Sequence, residues 1–196
     1  LHCNASVAAL QHSRDGWQAL APTGTILATA PRLVLATAAS VRQFAQTALL
    51  PVRPNRGQLT FLPATGDSTA LRTVVCQHGY LLPALAGQHV IGATYARDDT
   101  DCTPRPDDTA SNLAKLASIS PDFLAQVGGT PAGSPDLAAL PARAAIRATT
   151  PDHLPIFGPV PGAPGLLVLT GLGSRGLTTA LWAADQLAQN ACSNQG

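Results

Sequence analysis

Residues 166–188, LLVLTGLGSRGLTTALWAADQLA, constrain the fold more than any other stretch, because they read as strand, glycine-rich loop and helix. LLVLT has the Leu and Val content of a buried strand. Gly171, Gly173 and Gly176 follow at G-x-G-x-x-G spacing, and Leu177, Leu181, Ala184 and Leu187 then define a helical apolar face. A full dinucleotide fingerprint also needs a second strand ending in Asp or Glu about 20 residues further on, and none follows here. The physics of the loop survives without it. Glycines let backbone approach a flat or anionic ligand, and helix-start N–H groups near Gly176, Leu177 and Thr178 offer partial positive charge. A bare strand-to-helix connection is the bland alternative, and the loop alone does not choose between them.

The remaining chain supplies context. Its 196 residues, 45% hydrophobic, suffice for one core or two small ones. No apolar run approaches the roughly 20 residues of a membrane span, and the first residues lack a secretory pattern, so a cytoplasmic, membrane-free protein is expected. There is no Met at all, which suggests a fragment of a longer chain. Cys3, Cys76, Cys102 and Cys192 form no C-x-x-C pair, so neither a metal site nor a redox dithiol is indicated, and buried free thiols are expected. A net charge of +1 gives no general pull on nucleic acid, and any RNA contact needs a local patch. Eleven of the twelve cationic residues are Arg, which suits carboxylates and phosphates but also follows from base composition.

From Ser6 onward, three short meander strands lead to a more apolar strand at Leu33–Ala36, of the kind buried in a parallel sheet. Ser40 suits the N-cap of a helix through Leu49, with Val41, Phe44 and Ala45 on one face. PVRPNRGQ reads as a loop by composition. LTFLPA, LRTVVCQ, GYLLPAL and QHVIGATY then form an antiparallel sheet of hairpins. The stretch from Asp98 to Asp108 is a polar loop. Asp108 or Thr109 caps a helix through Ile119, PDFLAQV adds a short second helix, GGTPAGSP is a loop, and PARAAIRATT returns to extended structure.

RATTPDHLPIFG and the glycine loop that follows closely resemble the C-terminal end of FAD-dependent oxidoreductases of the glycine oxidase and D-amino acid oxidase family. With RPNRGQ at 53–58, GYLLPA at 79–84, GATYARDD at 92–99, NLAKL at 112–116 and GLGSRGLTTA at 171–180, the resemblance narrows to the oxidase half of the bifunctional tRNA 5-methylaminomethyl-2-thiouridine biosynthesis enzymes. It implies an α/β (α+β) fold with two parts. Residues 1–52 and 145–196 would be pieces of an FAD-binding domain with a parallel sheet and a β-meander. Residues 53–144 would be an inserted antiparallel substrate domain with flanking helices. It further implies FAD as cofactor, a tRNA wobble uridine as substrate, and a missing N-terminal half carrying the first dinucleotide-binding motif.

Site roles follow from the same resemblance. Gly171, Gly173, Ser174, Arg175, Gly176, Leu177 and Thr178 would hold the flavin. Arg175 and Tyr80 are the candidate catalytic residues, and Arg56, Gln58 and Tyr80 the candidate substrate contacts. The carboxylate-binding Arg of glycine oxidase aligns on Ser174, one position before Arg175, so that role transfers only to the loop. A surface position for Arg175, a half-buried sheet position for Tyr80 and a hinge salt bridge at Arg56 are the bland counterparts. His153 reads as a structural turn residue. A hydrolase triad on Ser174 is weak, because Leu172 stands where the nucleophile elbow needs Gly. The sequence departs from the family at Ala38, where members often have Gly, and at Leu181, where they often have Pro. A free glycine, sarcosine or D-amino acid oxidase, and a non-catalytic substrate-binding fragment, are the alternative functions.

Overall fold

The computed structural model describes residues 1–127 and 139–193. In chain order its strands are β1 (Ala9–Ser13), β2 (Gly16–Leu20), β3 (Ile26–Ala30), β4 (Leu33–Leu35), β5 (Arg53–Pro63), β6 (Val75–Cys76), β7 (Tyr80–Leu81), β8 (Gln88–Gly92), β9 (Ala96–Arg97), β10 (Ala142–Thr149), β11 (Ile156–Pro159) and β12 (Leu166–Thr170). The helices are α1 (Pro106–Ile119), α2 (Pro121–Gln126) and α3 (Gly176–Ser193). This is the mixed α/β architecture expected. The chain divides into two compact units, residues 1–54 with 147–196 and residues 55–146, so the backbone passes between units within β5 and within β10.

In the first unit, β1, β2 and β3 form an antiparallel meander. A second sheet runs β11-β12-β4, with β12 parallel to β4 and antiparallel to β11. Leu10, Trp17, Leu35, Val41, Phe44, Val52, Leu166 and Val168 make one core. Trp17 ties the meander to the turn before β12. Its indole N–H donates to Pro164 O at 2.8 Å, and a Cβ built on Gly165, whose φ is +81°, would stand 2.7 Å from Pro31 O. The glycine is therefore required by both backbone conformation and space.

Two sequence expectations need correction here. The helix predicted from Ser40 to Leu49 is instead two 3-10 segments, Ala38–Gln43 and Ala45–Thr47. Phe44, at φ −90° and ψ 134°, interrupts them, and its buried ring sits in the core. On α3, Ala183 and Leu187 are buried while Leu177 and Leu181 are exposed at 98% and 81%. Of the four positions expected on the apolar face, Leu187 is buried, while Leu177, Leu181 and Ala184 are exposed. Trp182 packs edge-on against Phe157 at 5.3 Å and remains 54% exposed.

The second unit holds the sheet β10-β5-β8-β7-β6, with β9 also paired to β5. Leu62, Leu81 and Ile91 from its strands meet Leu116 of α1 and Leu124 of α2. The Ser120 hydroxyl accepts from Phe123 N at 3.2 Å and caps α2, whose first residue is Pro121. α1 starts at Pro106, two residues before the expected cap, because Pro supplies helical φ without needing an N–H partner. RPNRGQ, expected as a loop, lies inside the eleven-residue strand β5. The segment 71–77, expected as one strand, contributes only Val75 and Cys76. Residues 128–135, expected as a loop, lie outside the described residues. Cys3, Cys76 and Cys102 are free but exposed, against the expectation of burial.

Candidate functional site

In the first unit the glycine loop leaves β12 with Gly171 and Gly173 both at positive φ, +71° and +57°. The two have different reasons to be glycine. A Cβ at Gly171 would stand 2.7 Å from Thr150 Cγ2, so the neighbouring turn occupies its space. That turn is itself braced: Thr150 Oγ1 donates to Leu154 O at 2.7 Å, and Leu154 N donates to Asp152 Oδ1 at 3.0 Å. The Leu154 N–H holds the Asp152 carboxyl below its ordinary range. His153 is exposed within this turn at φ +60°. At Gly173 nothing among the described residues lies within 4 Å of a Cβ position, although its N–H donates to Ala148 O at 2.9 Å. The backbone is anchored below while the space above it is open, as a ligand approaching the peptide plane requires.

The loop closes onto α3 through Arg175. Its carbonyl accepts from Thr178 N at 3.1 Å and Thr179 N at 3.0 Å, and from the Thr178 and Thr179 hydroxyls at 2.8 and 2.9 Å. Both donors of Thr178 are therefore spent inside the loop. The first-turn N–H groups of Gly176 and Leu177 have no carbonyl one turn back within the helix, and they carry its partial positive charge. Ser174 and Arg175 are exposed beside them. Ala38 sits at φ +51°, the conformation that favours glycine, and its carbonyl accepts from the buried Thr170 Oγ1 at 2.9 Å. The chain thus keeps the backbone shape with a residue ill suited to it.

In the second unit the predicted substrate contacts Arg56 and Gln58 have no exposed surface. Arg56 Nε donates to Asp101 O at 2.5 Å and Nη2 to Thr103 O at 2.6 Å, while Nη1 pairs with Asp108. Gln58 Nε2 donates to Arg105 O at 2.8 Å and Thr109 Oγ1 at 3.1 Å, and its Oε1 accepts from Arg105 N at 2.8 Å. Asn112 Nδ2 donates to Gln58 O at 3.0 Å and to Thr60 Oγ1 at 3.2 Å. This network fastens α1 and the loop before it onto β5. The bland counterpart, an ion pair within the fold, describes Arg56 better than a substrate contact does. The sequence reading missed Asp108, Thr109 and Asn112, a polar stripe at helical spacing on α1 that could have marked a helix face turned toward a polar partner.

Arg105 closes the loop from outside, pairing with Asp99 at 2.6 Å and Asp101 at 2.9 Å. Its hydrogen bond holds the Asp99 carboxyl down, and the Thr103 N–H with Arg105 does the same for Asp101. Tyr80, half-buried, pairs with Gly92 across β7 and β8. A Cβ on Gly92 would stand 3.2 Å from the Tyr80 hydroxyl, so the phenol crosses the space that this glycine leaves empty. The structure thus gathers the loop residues 171–178 in one unit, and Arg56, Gln58 and Tyr80 in the other.

The family model described as FAD dependent oxidoreductase (DAO) matches residues 1–190. The chain belongs to the FAD-dependent oxidoreductase (DAO) family. Among relatives in this family, the tRNA 5-methylaminomethyl-2-thiouridine biosynthesis bifunctional protein MnmC of Pseudomonas syringae pv. tomato is 39% identical over 204 residues, covering 91% of this chain and 30% of that protein. MnmC of Aromatoleum aromaticum is 39% identical over 96% of this chain and 31% of its own length. The chain thus spans about a third of the curated DAO-family relatives it matches. Of solved structures, glycine oxidase from Geobacillus kaustophilus superposes with a TM-score of 0.77 at 21% identity, over 97% of this chain and 49% of that one. Iminodiacetate oxidase from Chelativorans sp. BNC1 gives 0.74 at 27% identity, over 97% and 49%. FAD is the cofactor of this DAO family, and the open, anchored loop at Gly173 with the first turn of α3 fits a flavin.

Proposed function

We propose that this chain is the C-terminal part of the FAD-dependent oxidase of an MnmC-type cytoplasmic enzyme, which cleaves a C–N bond of the carboxymethylaminomethyl group on a tRNA wobble uridine. The observation that carries this reading is the 39% identity to MnmC proteins across 91% of the chain, taken with the loop geometry above. The residues 1–54 and 147–196 would belong to the flavin domain and the residues 55–146 to the substrate domain.

When bound, FAD supplies the acceptor for a hydride from the substrate carbon next to nitrogen. Gly173 would give the ring room, and the N–H groups of Gly176 and Leu177, with the dipole of α3, would favour an anionic form of the cofactor. Thr178 contributes through its acceptor lone pairs, since its donors serve Arg175 O. Arg175, exposed in the same loop, provides a cation for the substrate carboxylate or for the cofactor. Tyr80 presents its hydroxyl to the substrate. Arg56 and Gln58 serve by fixing the frame of the substrate domain. Loss of hydride and a proton leaves an imine, which water hydrolyses to the shortened amine on the uridine and glyoxylate.

The test is to incubate the full-length protein with modified tRNA, glycine and sarcosine, and to measure glyoxylate and the nucleoside product. Loss of the carboxymethyl group from tRNA is expected. Turnover of free glycine or sarcosine with unchanged tRNA would replace this reading by a free amino acid oxidase. A full-length protein that binds neither FAD nor substrate would leave only a fold without activity.

A further inference from the structure

Lys115, the only lysine in the chain, lies on α1 beneath the strand pair that carries Tyr80. Its Nζ donates to Ala93 O at 2.7 Å, at the end of β8. Its stem lies under β7: a Cβ built on Gly79 would stand 3.3 Å from both Lys115 Cβ and Cδ, and 2.8 Å from Gly92 O. One side chain therefore touches the residue before Tyr80 and the residue after its cross-strand partner Gly92. Neighbours along a strand point to opposite faces. Gly79 and Leu81 turn toward α1, where Leu81 joins Leu116 in the core, and Tyr80 with Gly92 turns to the other face. Burial pushes the Lys115 ammonium below its ordinary pKa, against the opposing charge of Asp108.

We propose that Lys115 is a positioning residue that fixes, from behind the sheet, the backbone of Gly79–Tyr80 and Gly92–Ala93, and thereby the direction in which the Tyr80 hydroxyl is presented to an amine substrate. It rests on the assignment of Tyr80 to the substrate made above. The glycines at 79 and 92 belong to the same device. One admits the lysine stem and the other admits the phenol, so the two side chains meet the same strand pair on opposite sides.

The experiment compares Lys115→Met, Lys115→Arg, Tyr80→Phe and the double variant Lys115→Met/Tyr80→Phe in the full-length, FAD-loaded enzyme, with flavin content and thermal midpoint recorded for each. Lys115→Met is expected to lower kcat/KM about three- to tenfold at unchanged flavin content. Lys115→Arg, which keeps a donor for Ala93 O, should recover to within about twofold of wild type. In the Tyr80→Phe background, Lys115→Met should cost little more, because coupled residues are not additive. Additive losses, or wild-type kinetics in Lys115→Met, overturn the inference. If Lys115→Met does not accumulate as folded protein, Lys115→Gln takes its place in the same cycle. Wild-type activity on sarcosine but not on tRNA would overturn the substrate reading alone, and the cycle is then read on sarcosine.

Discussion

Arg56 Nη2 donates to Gln58 Oε1 at 3.0 Å, two residues along the same strand, and both side chains are fully buried. Neighbours at i and i+2 share a face of a strand, so β5 presents a joined pair of polar groups to α1. Removing the cation strands the rest. Arg56→Met is expected to destabilise the second unit by about 3–5 kcal/mol, because Asp108, two carbonyls and Gln58 each lose a donor supplied from a fully buried position. Gln58→Glu should cost about 1–3 kcal/mol through the donors lost to Arg105 O and Thr109. Urea unfolding measures both. Substitutions that lower substrate affinity with stability intact would instead restore Arg56 to the substrate.

The two loop glycines Gly171 and Gly173 should separate stability from ligand binding. Gly171→Ala drives a methyl into Thr150 and strains a positive φ, and should cost about 1–3 kcal/mol. Gly173→Ala meets no atom of the described residues within 4 Å and should cost only about 1 kcal/mol for its left-handed backbone. If the flavin lies over this loop, Gly173→Ala in the full-length enzyme loses FAD more readily than its stability change explains. Equal flavin retention in the two variants would remove the ligand from above Gly173.

Ala38 offers a gain. Ala38→Gly relieves a non-glycine residue at φ +51° and gives back part of that through the freedom of the unfolded chain. A net stabilisation of about 0.5–1 kcal/mol is expected, read as a higher thermal midpoint. The cost of Thr170→Val, which removes the hydroxyl donating to Ala38 O, is about 1 kcal/mol in the opposite direction.

Acid should open the loop between β9 and α1. Asp99 and Asp101 have carboxyls held below their ordinary value of 3.8 by Arg105 and by backbone N–H groups. A depressed folded pKa stabilises above the unfolded value and loses that contribution as pH falls through the folded value. The loop should therefore stay protected from hydrogen exchange above pH 4 and lose protection progressively below it. Arg105→Gln should shift that loss to higher pH. Both aspartates are exposed, so raised salt should weaken the pairing as well.

The strand, glycine loop and helix at 166–188 were legible because their residue types repeat at the right period, even though β12 pairs with β4 near the other end of the chain. RPNRGQ was not. Its prolines and polar groups argue for a loop, and only residues 45 to 52 positions away supply the partners that make Arg56 acceptable inside a strand. On α3, 3.6-residue periodicity selects Leu177, Leu181, Ala184 and Leu187 alike, and packing buries Leu187 together with Ala183 while the other three stay exposed. The helix predicted from Ser40 is interrupted at Phe44, whose backbone is extended and whose ring lies in the core. Distant partners thus decide both which element forms at 53–58 and which side of α3 is buried.

The two tryptophans of this chain are placed so differently that they form a natural optical pair. Trp17 is 4% exposed with its indole N–H bound to Pro164 O, and Trp182 is 54% exposed near the start of α3. Their emission should divide into a blue, unquenched component from the meander and a red component open to acrylamide. A flavin seated at the first turn of α3 would dim the second far more than the first, so the protein carries its own fluorescent gauge of whether the loop is filled.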